Sequence, residues 1–271
     1  MIRTLIFGCC LLLSTSLFGQ ETVLAGGEGG FLTLGLGIPI HTVRDKVNSP
    51  LAYRGTGVNI RLEYERVREN WLGQARLSIS TGSLRARLKP RRDVNRPASF
   101  SDLRFSLGAY RNLGSVDDDG SLQYGGASVL VNMDDRTYPL PTNNISGMHY
   151  RLSGRVGFLD RRGVGNGTRW AATSQIDVPL ISRVFRPNYI GLPPLLHQPN
   201  AKGGAYWKTT RWRGPGGFLG LEARFALDYR AQDFRSDRLE YTFLLGYTPE
   251  PSPKSLLFTA GQLSYAYRAR L

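Results

Sequence analysis

The stretch GFLGLEARFALDYR, residues 217–230, alternates between apolar and polar side chains. The odd positions from Leu219 to Tyr229 are all apolar, whereas the even positions carry the charges of Glu222, Arg224, Asp228 and Arg230. A period of two over this length predicts a β-strand with one apolar and one polar face. In a soluble sheet the polar face lies in water, but in a membrane barrel it lines the interior.

The same alternation recurs along most of the chain. Changes of phase near Gly82 and at Gly125 predict β-bulges at those points. We count ten candidate strands: Phe31–Ile40, Val58–Arg66, Trp71–Leu88, Leu103–Arg111, Leu122–Met133, Met148–Leu159, Trp170–Ile181, the stretch above, Leu239–Thr248 and Leu257–Leu271.

The connections between these strands are short at one end and long at the other. The first strand is taken to run upward, so residues 67–70 and 231–238 form lower turns, while residues 182–216 form a long upper loop. Many apolar columns also begin or end in Tyr or Trp. Long strands, aromatic ends and unequal loops are typical of outer-membrane barrels. The sequence therefore predicts an all-β, up-and-down antiparallel transmembrane β-barrel of about ten strands, with eight to twelve compatible.

The first twenty residues have the order of a secretory signal peptide, with an early Arg3 and a short apolar run. The predicted organisation is a signal peptide at 1–20, a short segment at 21–30 and a barrel at 31–271 with the external loop 182–216. Both cysteines, Cys9 and Cys10, fall in the signal peptide. We therefore expect no disulfide and no thiolate site in the mature chain.

The chain is strongly basic, with 35 Lys and Arg against 21 Asp and Glu, a net charge of +14. Such an excess favours polyanionic partners. The predicted secretion and the even spread of arginines along the chain argue against nucleic acid as the partner. Outer-membrane lipid and lipopolysaccharide phosphates are the expected partners.

At the pattern level the chain resembles small, porin-like bacterial outer-membrane β-barrels. Its last residues, GQLSYAYRARL (261–271), resemble the terminal strand that the barrel-assembly machinery recognises, although they end in Leu271 and not Phe. The leader ending SLFGQ is similar to leaders common in Bacteroidota. The resemblance implies an integral protein of the bacterial outer membrane, with the assembly machinery as a partner.

The polar columns predict a lumen filled by a charged network, because a narrow barrel must pair these groups internally. The candidate lumen residues are Arg61, Glu63, Arg76, Arg104, His149, Arg151, Arg155, Asp177, Glu222, Arg224, Asp228, Arg230, Glu240 and Arg268.

The upper loops supply a second set of candidates, which combine basic residues with a tyrosine. Several of these candidates lie in the upper loop 182–216, which is too apolar for a simple linker. This composition suggests that the loop forms a constriction at the barrel mouth or a docking site for a protein partner. The candidates for binding lipopolysaccharide phosphates or a partner are Lys89, Arg91, Arg92, Arg96, Tyr189, Lys202, Lys208, Arg211 and Arg213.

No enzymatic motif stands out. Omptin-like proteases resemble this architecture, but the Asp-x-His pair of that family is absent here, and only the rim pair Asp134 and Asp135 with nearby His149 is comparable. The His-x-Ser arrangement of barrel phospholipases is absent, since Arg151 follows His149 at that spacing. We expect no catalytic site, no metal site and no cofactor.

A barrel of ten strands encloses little space, whereas open aqueous channels need about sixteen strands or more. The first hypothesis is a non-enzymatic barrel that acts as a narrow, anion-favouring pore or as an anchor or accessory subunit of an envelope complex. The alternatives are a surface binding protein that uses its basic loops, an omptin-like rim hydrolase and a secreted lipocalin-like ligand-binding barrel.

Overall fold

A computed structural model describes residues 28–46, 51–86, 97–114, 121–138, 146–164, 169–186, 210–232, 235–249 and 255–271. The predicted signal peptide lies outside these ranges, as do most of the upper-loop residues. Across the described residues, no helix has the length and apolarity that crossing a membrane would require.

The described residues form ten long strands and one short one. Ten strands of 14 to 18 residues build the wall, and the two-residue β8 lies above β9. The strands are β1 Gly29–Asp45, β2 Ala52–Arg68, β3 Trp71–Ala86, β4 Ala98–Gly114, β5 Leu122–Thr137, β6 Ser146–Gly163, β7 Trp170–Phe185, β8 Trp212–Arg213, β9 Leu219–Gln232, β10 Arg235–Thr248 and β11 Leu256–Arg270.

Each strand pairs in antiparallel fashion with its neighbours, and the sheet closes on itself. The order runs from β6 back to β1, continues through β11, β10 and β9 to β7, and the β6–β7 pairing completes the ring. The pairing of β1 with β11 joins the first strand to the last. The predicted ten-strand antiparallel barrel is confirmed. Its lower end carries the start of β1 and the end of β11.

The outer surface of the barrel is an apolar belt. On β1 alone, Leu34, Leu36 and Ile38 expose 57 to 61% of their surface. The apolar column from Leu32 to Ile40 covers eight residue steps of about 3.4 Å, which a tilt of ~35–45° shortens to roughly 20 Å along the barrel axis. This height is close to the ~25 Å apolar band of outer-membrane barrels.

Aromatic side chains border the belt at both ends. At the lower end Trp170 packs on Tyr229 with ring centroids 4.7 Å apart, and Tyr267 is exposed nearby on β11. At the upper end Tyr247 of β10 is exposed, and Tyr150 of β6 is half-buried on the same outer face. Such rings suit the membrane–water interface, since they combine an apolar body with a polar edge.

Most strands extend further than the sequence predicted, although β3 ends at Ala86 and β9 begins at Leu219, inside their predicted bounds. The apolar column of β1 ends at Ile40, but its ladder with β11 continues to Asp45. The predicted bounds were short because the apolar signal stops where the wall leaves the hydrocarbon, while the backbone pairing continues.

The predicted bulges at Gly82 and Gly125 are wrong. Neither β3 nor β5 has an extra residue at these glycines; the β4–β5 ladder does shift next to Gly125, but the residue without a partner is Leu113 of β4, between Asn112 and Gly114. The apparent change of phase arises because Leu84 and Tyr124 are apolar residues of the lumen face, both buried.

A register shift that the sequence did not suggest lies on β7. Gly154 and Arg155 of β6 oppose Ile181 and Pro179, so Leu180 has no partner in that ladder. As a result Leu180 and Ile181 are both exposed on the outer face, at 53% and 46%.

Candidate functional site

The polar face of every strand points into the lumen, where the side chains form a continuous ionic network. Its centre is Glu63 on β2, which has no exposed surface. The Glu63 carboxylate lies 2.9 Å from Arg76 Nη2 and 3.3 Å from Arg224 Nη1. Arg61 and Arg238 approach the same carboxylate at 4.0 Å. A buried charge requires such compensation, because desolvating a lone carboxylate costs several kcal/mol or more.

The lower part of the network joins opposite walls. Arg161 Nη2 of β6 lies 3.3 Å from Glu65 of β2, and Arg268 of β11 also binds this carboxylate. Arg238 of β10 donates two parallel hydrogen bonds to Asp228 of β9, at 2.8 and 3.1 Å. Such fork-like pairing fixes the geometry as well as the charge.

The middle of the lumen is paired in the same way. Arg155 Nη1 lies 2.7 Å from Glu222, and Arg76 approaches the other oxygen of Glu222 at 3.6 Å. Arg61 pairs with Glu240. Between these groups a cavity of about 20 Å³ remains, with Arg104 and Leu130 in its lining. That volume accommodates about one water molecule.

Apolar clusters lie beside this network at both ends of the described barrel. The lower cluster consists of Leu72, Tyr110, Tyr124 and Leu159, all buried. At the upper end one cluster contains Val43, Phe218, Leu256 and Phe258, and a second contains Tyr53, Leu84, Ala98, Phe100 and Tyr138. These side chains point inward from the wall, so they occupy part of the lumen beside the charged pairs at each end.

Near the upper clusters, Arg151 and His149 of β6 lie among aromatic rings. The guanidinium carbon of Arg151 is 4.3 Å from the centre of the Phe218 ring, and His149 packs against Phe258 at 5.8 Å. Within the described part of the chain, Arg151 forms no ion pair with a carboxylate and neither ring nitrogen of His149 has a hydrogen-bond partner. Arg151 is therefore an exception in a lumen whose other central arginines are paired.

The structure places the predicted lumen residues on the inner side of the wall. Arg104 pairs with Asp102, Asp177 accepts hydrogen bonds from Tyr110 and Gln175, and Arg230 is half-buried at the lower end of β9. Sequence reasoning missed Glu65, Asp102, Arg136, Arg161 and Arg238, all of them buried and paired. The sequence did contain the signal, because Glu65 lies in the polar column of the predicted strand Val58–Arg66 and the other four continue such columns beyond the predicted strand ends.

The rim pair of aspartates points in two directions. Asp134 faces the lumen and pairs with Arg136, whereas Asp135 is exposed on the outer face. The two carboxylates therefore do not form one acidic site. Among the described residues, no group of His, Cys, Asp and Glu has an arrangement that could hold a metal ion.

Most of the upper-loop candidates lie outside the described residues. Arg211 is exposed and Arg213, in β8, is half-buried. The candidates outside the described ranges are Lys89, Arg91, Arg92, Arg96, Tyr189, Lys202 and Lys208.

No protein-family model matches the chain, and no curated protein matches it. Among solved structures, the outer membrane protease OmpT from Escherichia coli is similar, with a TM-score of 0.54 at 6% identity over 95% of this chain and 99% of that chain. Neisserial surface protein A gives 0.37 at 9% identity, over 90% and 100% of the two chains. The Pseudomonas putida toluene transporter TodX gives 0.37 at 10%, over 93% and 92%.

At such identities the likeness shows the fold alone, and proteins of one fold serve different functions. The closed antiparallel wall, the exposed apolar belt and the two aromatic borders agree with that likeness. The chain is therefore folded as an integral β-barrel of the outer membrane of Gram-negative bacteria.

Proposed function

We propose that the protein is a closed, non-enzymatic outer-membrane barrel that serves as an anchor or accessory subunit of an envelope complex, and not as a pore. The observation that carries this proposal is the filled lumen. A pore needs a continuous water-filled path, whereas paired charges and inward-pointing apolar clusters occupy the lumen of the described strands, and the cavity beside Arg61, Arg76 and Glu222 measures only about 20 Å³.

The pairing of charges also argues against an anion-favouring pore. Arginines favour anions only where their charge is available to the solute. Here Arg61, Arg76 and Arg155 each lie beside a carboxylate of Glu240, Glu63 or Glu222. Their field is largely neutralised at short range, so little attraction for a passing anion remains.

The absence of a catalytic function is part of the same proposal. A hydrolase of the omptin type would need cooperating acidic groups and a histidine at an accessible rim. Asp134 is engaged by Arg136, and His149 is only 1% exposed. These positions favour a structural role for the side chains of Asp134, Arg136 and His149.

Conductance measurements test the closed barrel. The protein is purified folded, inserted into planar bilayers, and checked for heat-modifiable migration in the same preparation. We expect no discrete conductance steps. Stable single-channel steps from the folded protein would show that a continuous path exists and would overturn the proposal.

The accessory role has its own test, which is extraction of the native protein from the outer membrane in a mild detergent followed by native electrophoresis. We expect migration as a complex larger than the barrel with its micelle. Migration as the barrel alone, at every detergent concentration, would contradict an accessory role.

A further inference from the structure

Three arginines form an exposed patch on the outer face of the upper rim. Arg44 of β1, Arg54 of β2 and Arg85 of β3 all point away from the lumen and are exposed. Arg54 stands directly opposite Arg85 in the β2–β3 pairing. It stands opposite Thr42 in the β1–β2 pairing, two residues from Arg44. We call these three residues the upper arginine triad.

This arrangement is unfavourable by itself. Like charges directly opposite on neighbouring strands destabilise a sheet. In the part of the chain that the structure describes, no ion pair joins Arg44, Arg54 or Arg85 to a carboxylate. The outward positions next to the triad carry Thr42, Thr56 and Ser83, which have hydroxyls and no charge. The triad therefore concentrates positive charge that nothing in the described wall offsets.

The position of the triad relative to the membrane indicates what can offset it. Arg44 lies two outward positions beyond Ile40, the last apolar residue of its column, and Arg54 lies two beyond Val58. These side chains therefore stand in the polar layer directly above the hydrocarbon. The triad is at the end opposite the start of β1 and the end of β11, which is the external end in barrels with short periplasmic turns.

We propose that the upper arginine triad binds the phosphates of a phosphorylated glycolipid, the lipopolysaccharide of the outer leaflet. Arginine guanidinium groups bind phosphate oxygens in pairs, and the neighbouring hydroxyls add donors and acceptors. Below the triad the exposed side chains of Ile38, Ile40 and Val58 provide an apolar surface for acyl chains. This continuity favours a lipid over free phosphate. The inference goes beyond the closed barrel and does not depend on whether the lumen conducts.

The chain contains a matched control at the opposite end of the same part of the wall. Arg66 and Arg68 of β2 and Arg111 of β4 are also exposed, but at the lower rim. The test therefore compares two triple variants of equal charge change. The upper variant is Arg44→Gln/Arg54→Gln/Arg85→Gln, and the lower variant is Arg66→Gln/Arg68→Gln/Arg111→Gln.

Each protein is purified in a mild detergent and checked for folding by heat-modifiable migration. Binding of purified lipopolysaccharide is then measured by native mass spectrometry and by the shift in thermal unfolding. We expect the upper variant to bind at least about tenfold more weakly than wild type. We expect the lower variant to bind like wild type. Equal binding by the upper variant and wild type, or equal losses in both variants, would overturn the proposal.

Three further ligands identify the source of the phosphate. Dephosphorylated lipid A should bind the wild type as weakly as lipopolysaccharide binds the upper variant. Inorganic phosphate and phosphatidylglycerol vesicles should give little stabilisation of wild type. Undiminished binding of the dephosphorylated glycolipid would overturn the phosphate contact. Stabilisation by inorganic phosphate or phosphatidylglycerol equal to that by lipopolysaccharide would overturn the assignment to the glycolipid.

Discussion

The hydroxyl of Tyr110 on β4 lies 3.0 Å from Oδ1 of Asp177 on β7, although β5 and β6 stand between these strands. The Tyr110 ring lies over a part of the inner wall that has no side chains, because Gly126 of β5 pairs directly with Gly157 of β6. A Cβ on Gly126 would come within 2.8 Å of the Tyr110 ring, and one on Gly157 would come within 2.2 Å of Asp177 Oδ1. The two glycines thus admit a side chain that ties four strands together.

Replacing Gly157 with alanine should therefore destabilise the barrel. The added methyl group must displace the Asp177 carboxylate or the Tyr110 ring, and overpacking of this kind costs about 1–3 kcal/mol. The measurement is urea unfolding of the refolded protein in detergent or lipid, followed by tryptophan fluorescence.

Gly163→Ala on the same strand is the matched control, since a Cβ there meets nothing within 4 Å. We expect its unfolding free energy to stay within about 0.5 kcal/mol of wild type. If both alanine variants unfold at the same urea concentration as wild type, Tyr110 does not occupy the position described.

Glu63→Gln should be more damaging, because this carboxylate is shared by Arg76, Arg224 and two further arginines. Removing one partner of a buried ion pair leaves uncompensated charge, at a cost of about 3–5 kcal/mol. Glu69→Gln is the control, because Glu69 is exposed beyond the end of β2. Equilibrium unfolding of both variants decides the point, and equal stability of the two would contradict a central role for Glu63.

Much of this fold could be predicted because side chains on a strand alternate strictly between two faces. The columns of residues 219–230 assign Leu227 to the outer face and Asp228 to the lumen, as observed. Aromatic residues at column ends and unequal connections then identify a membrane barrel.

The partners within the lumen could not be predicted in the same way. Glu65 meets Arg161, which is 96 residues further along the chain. Such contacts depend on the tilt and stagger of the closed wall, which alternation does not specify.

The apolar side chains that point into the lumen could not be predicted from the sequence either. Phe218, the second residue of the stretch GFLGLEARFALDYR, points into the lumen and is 1% exposed. It follows a turn in which Gly217 N donates to Gly214 O at 3.0 Å. One apolar residue in a polar column looks like a change of phase in the sequence, whereas in the structure it fills the upper lumen.

Arg151→Met should have little effect on stability or increase it by about 1 kcal/mol. Arg151 is buried without an ion pair in the described residues, so methionine removes a desolvation cost and loses the contacts with the Phe218 and Phe258 rings. Arg76→Met is the matched variant, because it leaves Glu63 without its nearest cation and should cost about 3 kcal/mol. Unfolding midpoints that fall equally for both would show that Arg151 has a partner of comparable strength.

The last prediction concerns the terminal strand, which we propose is the segment that the barrel-assembly machinery recognises. Leu271 extends the outer column of β11 and is 73% exposed, while its amide donates to Gly30 O at 2.9 Å. Leu271→Phe should leave the amount of folded protein in the outer membrane unchanged or higher, because it keeps a large apolar side chain at this position. Leu271→Asp should lower that amount severalfold, although its effect on refolding in detergent should be small. The measurement is immunoblotting of outer-membrane fractions with and without heating. Equal losses of the aspartate variant in cells and in detergent refolding would indicate a defect in stability and not in recognition.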